Sequence, residues 1–263
     1  MSGAGPTIEA ARTEGRAALV GYLPAGYPTV EESIELLGAM VAAGVDVVEV
    51  GLPYSDPVMD GPTIQAAAEV ALARGTRTTD VFRVVEASAA LAPTLVMTYW
   101  NPVERWGVER FAADLAGAGG AGLITPDLIP DEAQEWLAAA ESNDLDRVFL
   151  VAPSSPPERI ALTVRACRGF VYATSVMGVT GARLATSKAA PALVERVRAE
   201  TDLPVGVGLG VSDGKQATEV AAYADAVIVG SAFVRRLLDT ADRASALGAI
   251  SELTEDLAAG VRR

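Results

Sequence analysis

Short apolar runs alternate with longer amphipathic segments along nearly the whole chain. The runs predict strands at Ala18–Leu23, Asp46–Gly51, Thr94–Thr98, Gly122–Thr125, Arg147–Val151, Gly169–Ala173, Pro204–Gly208 and Ala226–Gly230. The segments between them predict helices at Thr29–Ala43, Thr79–Leu91, Gly107–Ala116, Asp131–Glu141, Pro157–Cys167, Ser187–Glu200 and Ser212–Tyr223, with a last helix from Arg243 to Ala259. Pro157 falls in a first turn, where a missing N–H costs nothing, and Ser212 reads as an N-cap. Near-continuous apolar strands such as Ala226–Val229 suit a parallel sheet covered on both faces. Eight strand–helix units fit an α/β fold of the closed (β/α)8, or TIM-barrel, type. An open doubly wound sheet normally carries its phosphate-binding glycines after the first strand. Here that strand runs into Leu23-Pro24-Ala25-Gly26-Tyr27-Pro28, and the glycine clusters come late. No linker interrupts the pattern, so residues 1–263 read as one domain. Residues 2–15 predict an extra N-terminal helix closing the barrel bottom.

Half of the 263 residues are hydrophobic but only 5% are aromatic, so Ala, Val, Leu and Ile must fill the interior. The net charge of −13 argues against nucleic acid and anionic membranes as partners. It also repels anionic substrates at long range, so a phosphate site has to be built locally. No apolar run approaches the ~20 residues of a membrane span, and no signal core is visible. The expected location is therefore cytoplasmic. Cys167 is the only cysteine, which rules out an internal disulfide and a cysteine-rich metal cage. There is no histidine, and Lys188 and Lys215 are the only lysines. Acid–base chemistry must then come from carboxylates, tyrosine or water.

Catalytic groups of such barrels lie at the C-terminal strand ends. Glu49 interrupts the apolar run Val47-Val48-Glu49-Val50-Gly51 near its end. Facing the barrel mouth it would be a desolvated acid–base with a raised pKa. Facing outward it would be a structural ion-pair partner, and the run alone fits both. The following loop, Leu52 to Gln65, holds three prolines and the acids Asp56 and Asp60. Asp60 fits a second site carboxylate or a cap for a helix starting near Pro62, and Asp56 before Pro57 fits a turn. Tyr172, at the end of the sixth strand, fits either a hydroxyl in the mouth or a core aromatic. Glycine sets recur after the last three strands: Gly178 to Gly181, Gly206 to Ser212, and Gly230-Ser231 opening a short helix. Together they predict a phosphate cradle of backbone N–H groups and a helix N-terminus. The small-residue stretch from Val176 to Ala190 reads as a lid or a surface loop.

The run from Glu49 to Pro57, continued by Asp60-Gly61-Pro62-Thr63-Ile64-Gln65, closely resembles the signature of tryptophan synthase alpha chains. So do Pro24 to Pro28, Tyr99-Trp100-Asn101-Pro102, Pro126-Asp127-Leu128, Gly178 to Gly181, Gly208 to Ser212 and Gly230-Ser231, in order and over nearly the whole chain. The resemblance implies a lyase of tryptophan biosynthesis that cleaves indole-3-glycerol phosphate to indole and glyceraldehyde 3-phosphate. It assigns catalysis to Glu49, with Asp60 on the indole nitrogen and Tyr172 beside Glu49. It assigns phosphate binding to Gly181, Gly210, Gly230 and Ser231, joined by Thr180 and Gly208 from the same glycine sets. It gives the indole pocket to Tyr22 and Trp100, and a partner-facing loop to Pro53 and Asp56. It further implies an α2β2 heterotetramer with a beta chain that carries pyridoxal phosphate, none being held by this chain. Two positions depart from the pattern: Val176 stands where many members carry arginine, and Trp100 where leucine is common.

The chemistry agrees with the inventory. Aldolases usually delocalise electrons through a lysine Schiff base or a metal. Both lysines fall in loop or helix sequence, and a histidine-rich metal site is impossible. Indole needs neither device, because protonation at C3 makes the ring its own electron sink. Three rivals remain from sequence: another phosphate-binding barrel enzyme, a silent subunit that activates a beta partner, and a stand-alone indole-releasing lyase.

Overall fold

The computed structural model describes residues 3–174, 189–208, 210–240 and 242–262. Eight strands follow in chain order: β1 (Ala18–Pro24), β2 (Val47–Gly51), β3 (Thr94–Met97), β4 (Gly122–Thr125), β5 (Asp146–Val151), β6 (Val171–Thr174), β7 (Val205–Gly208) and β8 (Ala226–Val229). Each pairs in parallel with the next, and β8 returns to β1, so the sheet closes into a barrel. The described helices are α1 (Ala4–Thr13), α2 (Val30–Ala43), α3 (Pro62–Ala73), α4 (Thr78–Ala89), α5 (Trp100–Trp106), α6 (Val108–Gly117), α7 (Gln134–Ser142), α8 (Pro157–Ala166), α9 (Ala189–Arg198), α10 (Gly214–Ala221), α11 (Ser231–Leu238) and α12 (Arg243–Val261). This is the (β/α)8 architecture that the alternating pattern predicts. None of the described helices is long and apolar enough to cross a membrane.

Strand alternation divides the core in two. Val20, Val47, Leu95, Ile124, Val148, Phe170 and Ile228 meet inside the barrel. Their neighbours Leu19, Val48, Val96, Leu123, Phe149, Val171 and Val227 join the layer between strands and helices. Branched aliphatics dominate both layers, as the shortage of aromatics requires. The lower mouth is plugged by α1, whose Ala4, Ile8 and Ala11 are fully buried in the interior cluster.

Asp146, at the foot of β5, holds that plug. It is 5% exposed, and its Oδ2 accepts the Ala4 N–H at 3.1 Å. Its Oδ1 lies 3.8 Å from the Arg168 guanidinium. Replacing Asp146 with Ala leaves a buried helix-terminal N–H without its acceptor. The expected cost is about 1–3 kcal/mol, read as a lower urea midpoint with faster proteolysis within the first helix. An unchanged midpoint would remove Asp146 from the plug.

Strand and helix ends shift by one or two residues in many places, and the larger differences concern caps and one missed helix. Ser212 does not cap α10; Asp213 does, its side chain accepting the Gln216 N–H at 2.8 Å. Ser212 instead donates its N–H to the Gln216 side chain. The helix expected from Asp131 is split, because Pro130–Glu132 forms a single 3-10 turn before α7 starts at Gln134. Asn101 and Pro102 belong to the helix α5, which the apolar pattern did not reveal. Asp60 is not the cap of α3: Gly61 holds that position without a side-chain bond, and Pro62 follows as the first helical residue.

Candidate active site

Glu49 keeps the inward phase of β2. Two residues after Val47, it is 2% exposed and stands beside Tyr22 of β1 and Leu95 of β3 in the strand registers. Among the described residues its Oε1 has no hydrogen-bond partner. Burial without compensation pushes its pKa up to about 8. The outward, ion-paired alternative therefore does not describe this residue.

Tyr172 shares the interior with Phe170, their ring centroids 6.4 Å apart. Its hydroxyl is raised well above the ordinary value, first by burial and then by the neighbouring charge of Glu49. The hydroxyl of Tyr22 is raised in the same way, by burial and then by Asp60 and Glu49 together. Two strand-end glycines make room for these rings. A Cβ on Gly51 would lie 2.2 Å from the Tyr22 hydroxyl, and one on Gly208 would lie 2.4 Å from that of Tyr172.

Asp60 reaches the site on the loop between β2 and α3, and that loop is fastened from across the mouth. Tyr99, the residue before α5, accepts the N–H groups of Met59 and Asp60 at 3.0 and 3.1 Å. The Tyr54 ring lies tilted on Tyr99 with centroids 5.3 Å apart. Asn101 donates to the Tyr54 hydroxyl at 3.0 Å, and Gln65 donates to the Asp60 carbonyl at 2.6 Å. Burial raises the Asp60 carboxyl, and its hydrogen bond with Tyr99 opposes that rise. The sequence signature contains Tyr99, but spacing gives no hint of a contact between residues forty positions apart.

Trp100 opens α5, its N–H donating to both carboxylate oxygens of Asp127 at 2.9 and 3.1 Å. Like Tyr22, it is partly buried and packs against the larger core cluster. Met97 is the β3 side chain that packs against the interior cluster, as Leu150 and Tyr172 do. Period-two counting from Leu95 identifies it, whereas the motif drew attention to Trp100.

Gly208 ends β7, Gly210 follows in the left-handed region at φ +69°, and Gly230-Ser231 open α11. Gly210 therefore takes a conformation that disfavours a side chain. The strands β7 and β8 are adjacent, so these groups lie at one rim. Among the described residues no side chain caps the start of α11, so its first N–H groups can face an anion. Thr180, Gly181, Val176 and Lys188 lie outside the described residues. Lys215 lies on α10, outside the barrel interior. In the β2–α3 loop, Pro53 is buried within the chain, whereas Asp56 is exposed and Val58 is 76% exposed.

Comparison with known proteins agrees with this arrangement. The family model described as tryptophan synthase alpha chain matches residues 8–262. The tryptophan synthase alpha chain of Salinispora tropica is 64% identical over 263 residues, covering 100% of this chain and 98% of that protein. A structure of Mycobacterium tuberculosis tryptophan synthase superposes with a TM-score of 0.94 at 59% identity, covering 100% of this chain and 99% of the other. A mutant alpha subunit from Pyrococcus furiosus gives 0.84 at 31% identity, over 92% and 98% of the two chains. With a matching barrel, an inward glutamate and similarity along its full length, the chain belongs to the tryptophan synthase alpha chain family.

Proposed function

We propose that Glu49 and Asp60 perform the family's lyase reaction, the retro-aldol cleavage of indole-3-glycerol phosphate to indole and glyceraldehyde 3-phosphate. The observation that carries this reading is the buried, unpaired Glu49 with its pKa near 8. At neutral pH such a carboxyl holds its proton, as a general acid must. Glu49 gives that proton to C3 of the indole ring, and the ring nitrogen takes up positive charge. The Asp60 carboxylate stabilises the charge through the ring N–H. The C3–side-chain bond then breaks, and its electron pair returns to the ring. The hydroxyl on the departing carbon loses its proton to Glu49, forming the aldehyde and restoring the acid. Tyr172 lies close enough to Glu49 to tune this exchange, while Tyr22 and Trp100 line the indole pocket, joined by Met97. Gly208, Gly210, Gly230 and Ser231 hold the phosphate with backbone amides, which answers the repulsion expected from an acidic chain. The family resemblance assigns Thr180 and Gly181 to the same phosphate.

The whole chain acts as one cytoplasmic domain in L-tryptophan synthesis. It passes indole to a beta chain in an α2β2 heterotetramer, and pyridoxal phosphate belongs to that partner. Asp56 and Val58 expose the loop bearing Asp60 to the solvent side, where a partner can act on the site. The purified chain is expected to release indole from indole-3-glycerol phosphate, faster with a cognate beta chain than alone. No release in either condition would favour the silent-subunit reading. Full activity with no co-elution on size exclusion would favour the stand-alone lyase.

A further inference from the structure

Among the described residues, several buried polar atoms lack a hydrogen-bond partner. Most sit outside the barrel: Ser88 on α4, Trp136 on α7, and Thr125 paired in register with the outward Phe149. Two lie on inward positions of the upper mouth. One is Glu49 Oε1. The other is Thr174 Oγ1. Phe170 and Tyr172 belong to the interior cluster and Ala173 to the outer layer, so the alternation of β6 turns Thr174 inward.

Buried hydroxyls nearly always find a partner, because leaving one unmade forfeits its hydration with no return. Thr174 has the means to reach a ligand. It is paired in register with Gly208 of β7, so the adjacent strand contributes no side chain at that level. It is two residues, roughly 7 Å along the strand, above Tyr172. It therefore stands level with Gly208, between Tyr172 beside Glu49 and the rim positions Gly210 and Gly230 above it.

We propose that Thr174 is a specificity-determining residue whose hydroxyl hydrogen-bonds the middle hydroxyl of the substrate's glycerol chain. This rests on the reading of the site given above. In the substrate, that alcohol lies between the carbon leaving the indole ring and the phosphate-bearing carbon. Thr174 lies between the corresponding protein groups, Glu49 and the glycine rim. The alcohol does not react, so the contact selects the chain and sets its rotation rather than moving a proton. An alkyl side chain at this position would fill the same space but would not distinguish a hydroxylated chain from a deoxygenated one.

Thr174→Val keeps the shape and the β-branch of the residue, and Thr174→Ser keeps the hydroxyl. Indole release is measured for each, in the presence of the beta chain, with indole-3-glycerol phosphate and with its analogue lacking the middle hydroxyl. Thr174→Val is expected to lower kcat/KM for the full substrate about tenfold and to leave the deoxy analogue within about twofold of the parent protein. Thr174→Ser is expected to stay within about threefold on both. An equal change on both substrates, whether a loss or none, overturns the assignment, since only a contact with that alcohol makes them differ. A parent protein that releases no indole from the full substrate overturns the underlying functional reading, and this assignment with it.

Discussion

Glu49→Gln is expected to abolish indole release, by about a thousandfold or more, and to yield a barrel more stable than the parent at pH 7 and above. The two effects share one cause. The carboxyl is buried inside the barrel with an unpaired oxygen, so its charged form is disfavoured and its pKa rises to about 8. Gln has the same shape but can neither give a proton to C3 nor accept one from the alcohol. Stability follows from linkage. In the unfolded chain Glu49 ionises near its ordinary value of 4.5, while in the barrel it stays protonated to about 8. Its contribution is intact below the lower value, declines as pH rises through the interval, and stays lost above the upper one. Gln carries no such penalty. The variant should gain on the order of 3 kcal/mol over the parent near pH 7–8 and almost nothing near pH 4.5. Urea unfolding at the two pH values reads this difference, and an indole assay reads the loss. The parent's kcat/KM should fall above about pH 8, as the proton donor ionises. Near-normal turnover by the variant, or a stability gain independent of pH, would place the essential proton elsewhere.

The barrel was legible in the sequence because its period is simple. Parallel strands buried on both faces leave continuous apolar runs, and eight of them in one chain leave few architectures. The α1 plug was legible too, since Ile8 and Ala11 lie at helical spacing ahead of the first strand. What the pattern did not reveal is short or capped by other residues. The helix α5 spans only Trp100–Trp106 and contains Pro102, and α10 is capped one residue beyond the expected position.

In the site, composition was more informative than motif spacing. The absence of histidine and of strand lysines left carboxylates as the available acids, and burial then singled out Glu49. Strand phase was the underused signal. Counting by two from Leu95 leads to Met97, and from Tyr172 to Thr174, both facing the mouth. Trp100 lies beyond the end of β3, where that phase no longer applies. The fastening of the Asp60 loop by Tyr99 and Asn101 could not be read from any period. It joins residues that only barrel closure brings together.

That fastening makes Asp60→Asn the sharpest separation of chemistry from structure. The loop is held through the backbone of Asp60: its N–H goes to Tyr99, and its carbonyl receives the Gln65 side chain. Asn retains both bonds, and its side-chain oxygen can still accept from the Tyr99 hydroxyl. A helix cap would also survive the change, since Asn caps about as well as Asp. Stability should therefore remain within about 0.5 kcal/mol of the parent. What Asn lacks is the negative charge that meets the positive charge building on the indole nitrogen. Losing one preorganised electrostatic partner of a transition state costs about 10²–10³ in turnover. The loss should fall mainly on kcat, with KM changed little, because the nitrogen is neutral in the bound substrate and cationic only as C3 is protonated. Steady-state indole release measures that division. A loss confined to KM would make Asp60 a ground-state binding group, and parent-like rates would return it to the role of a loop residue.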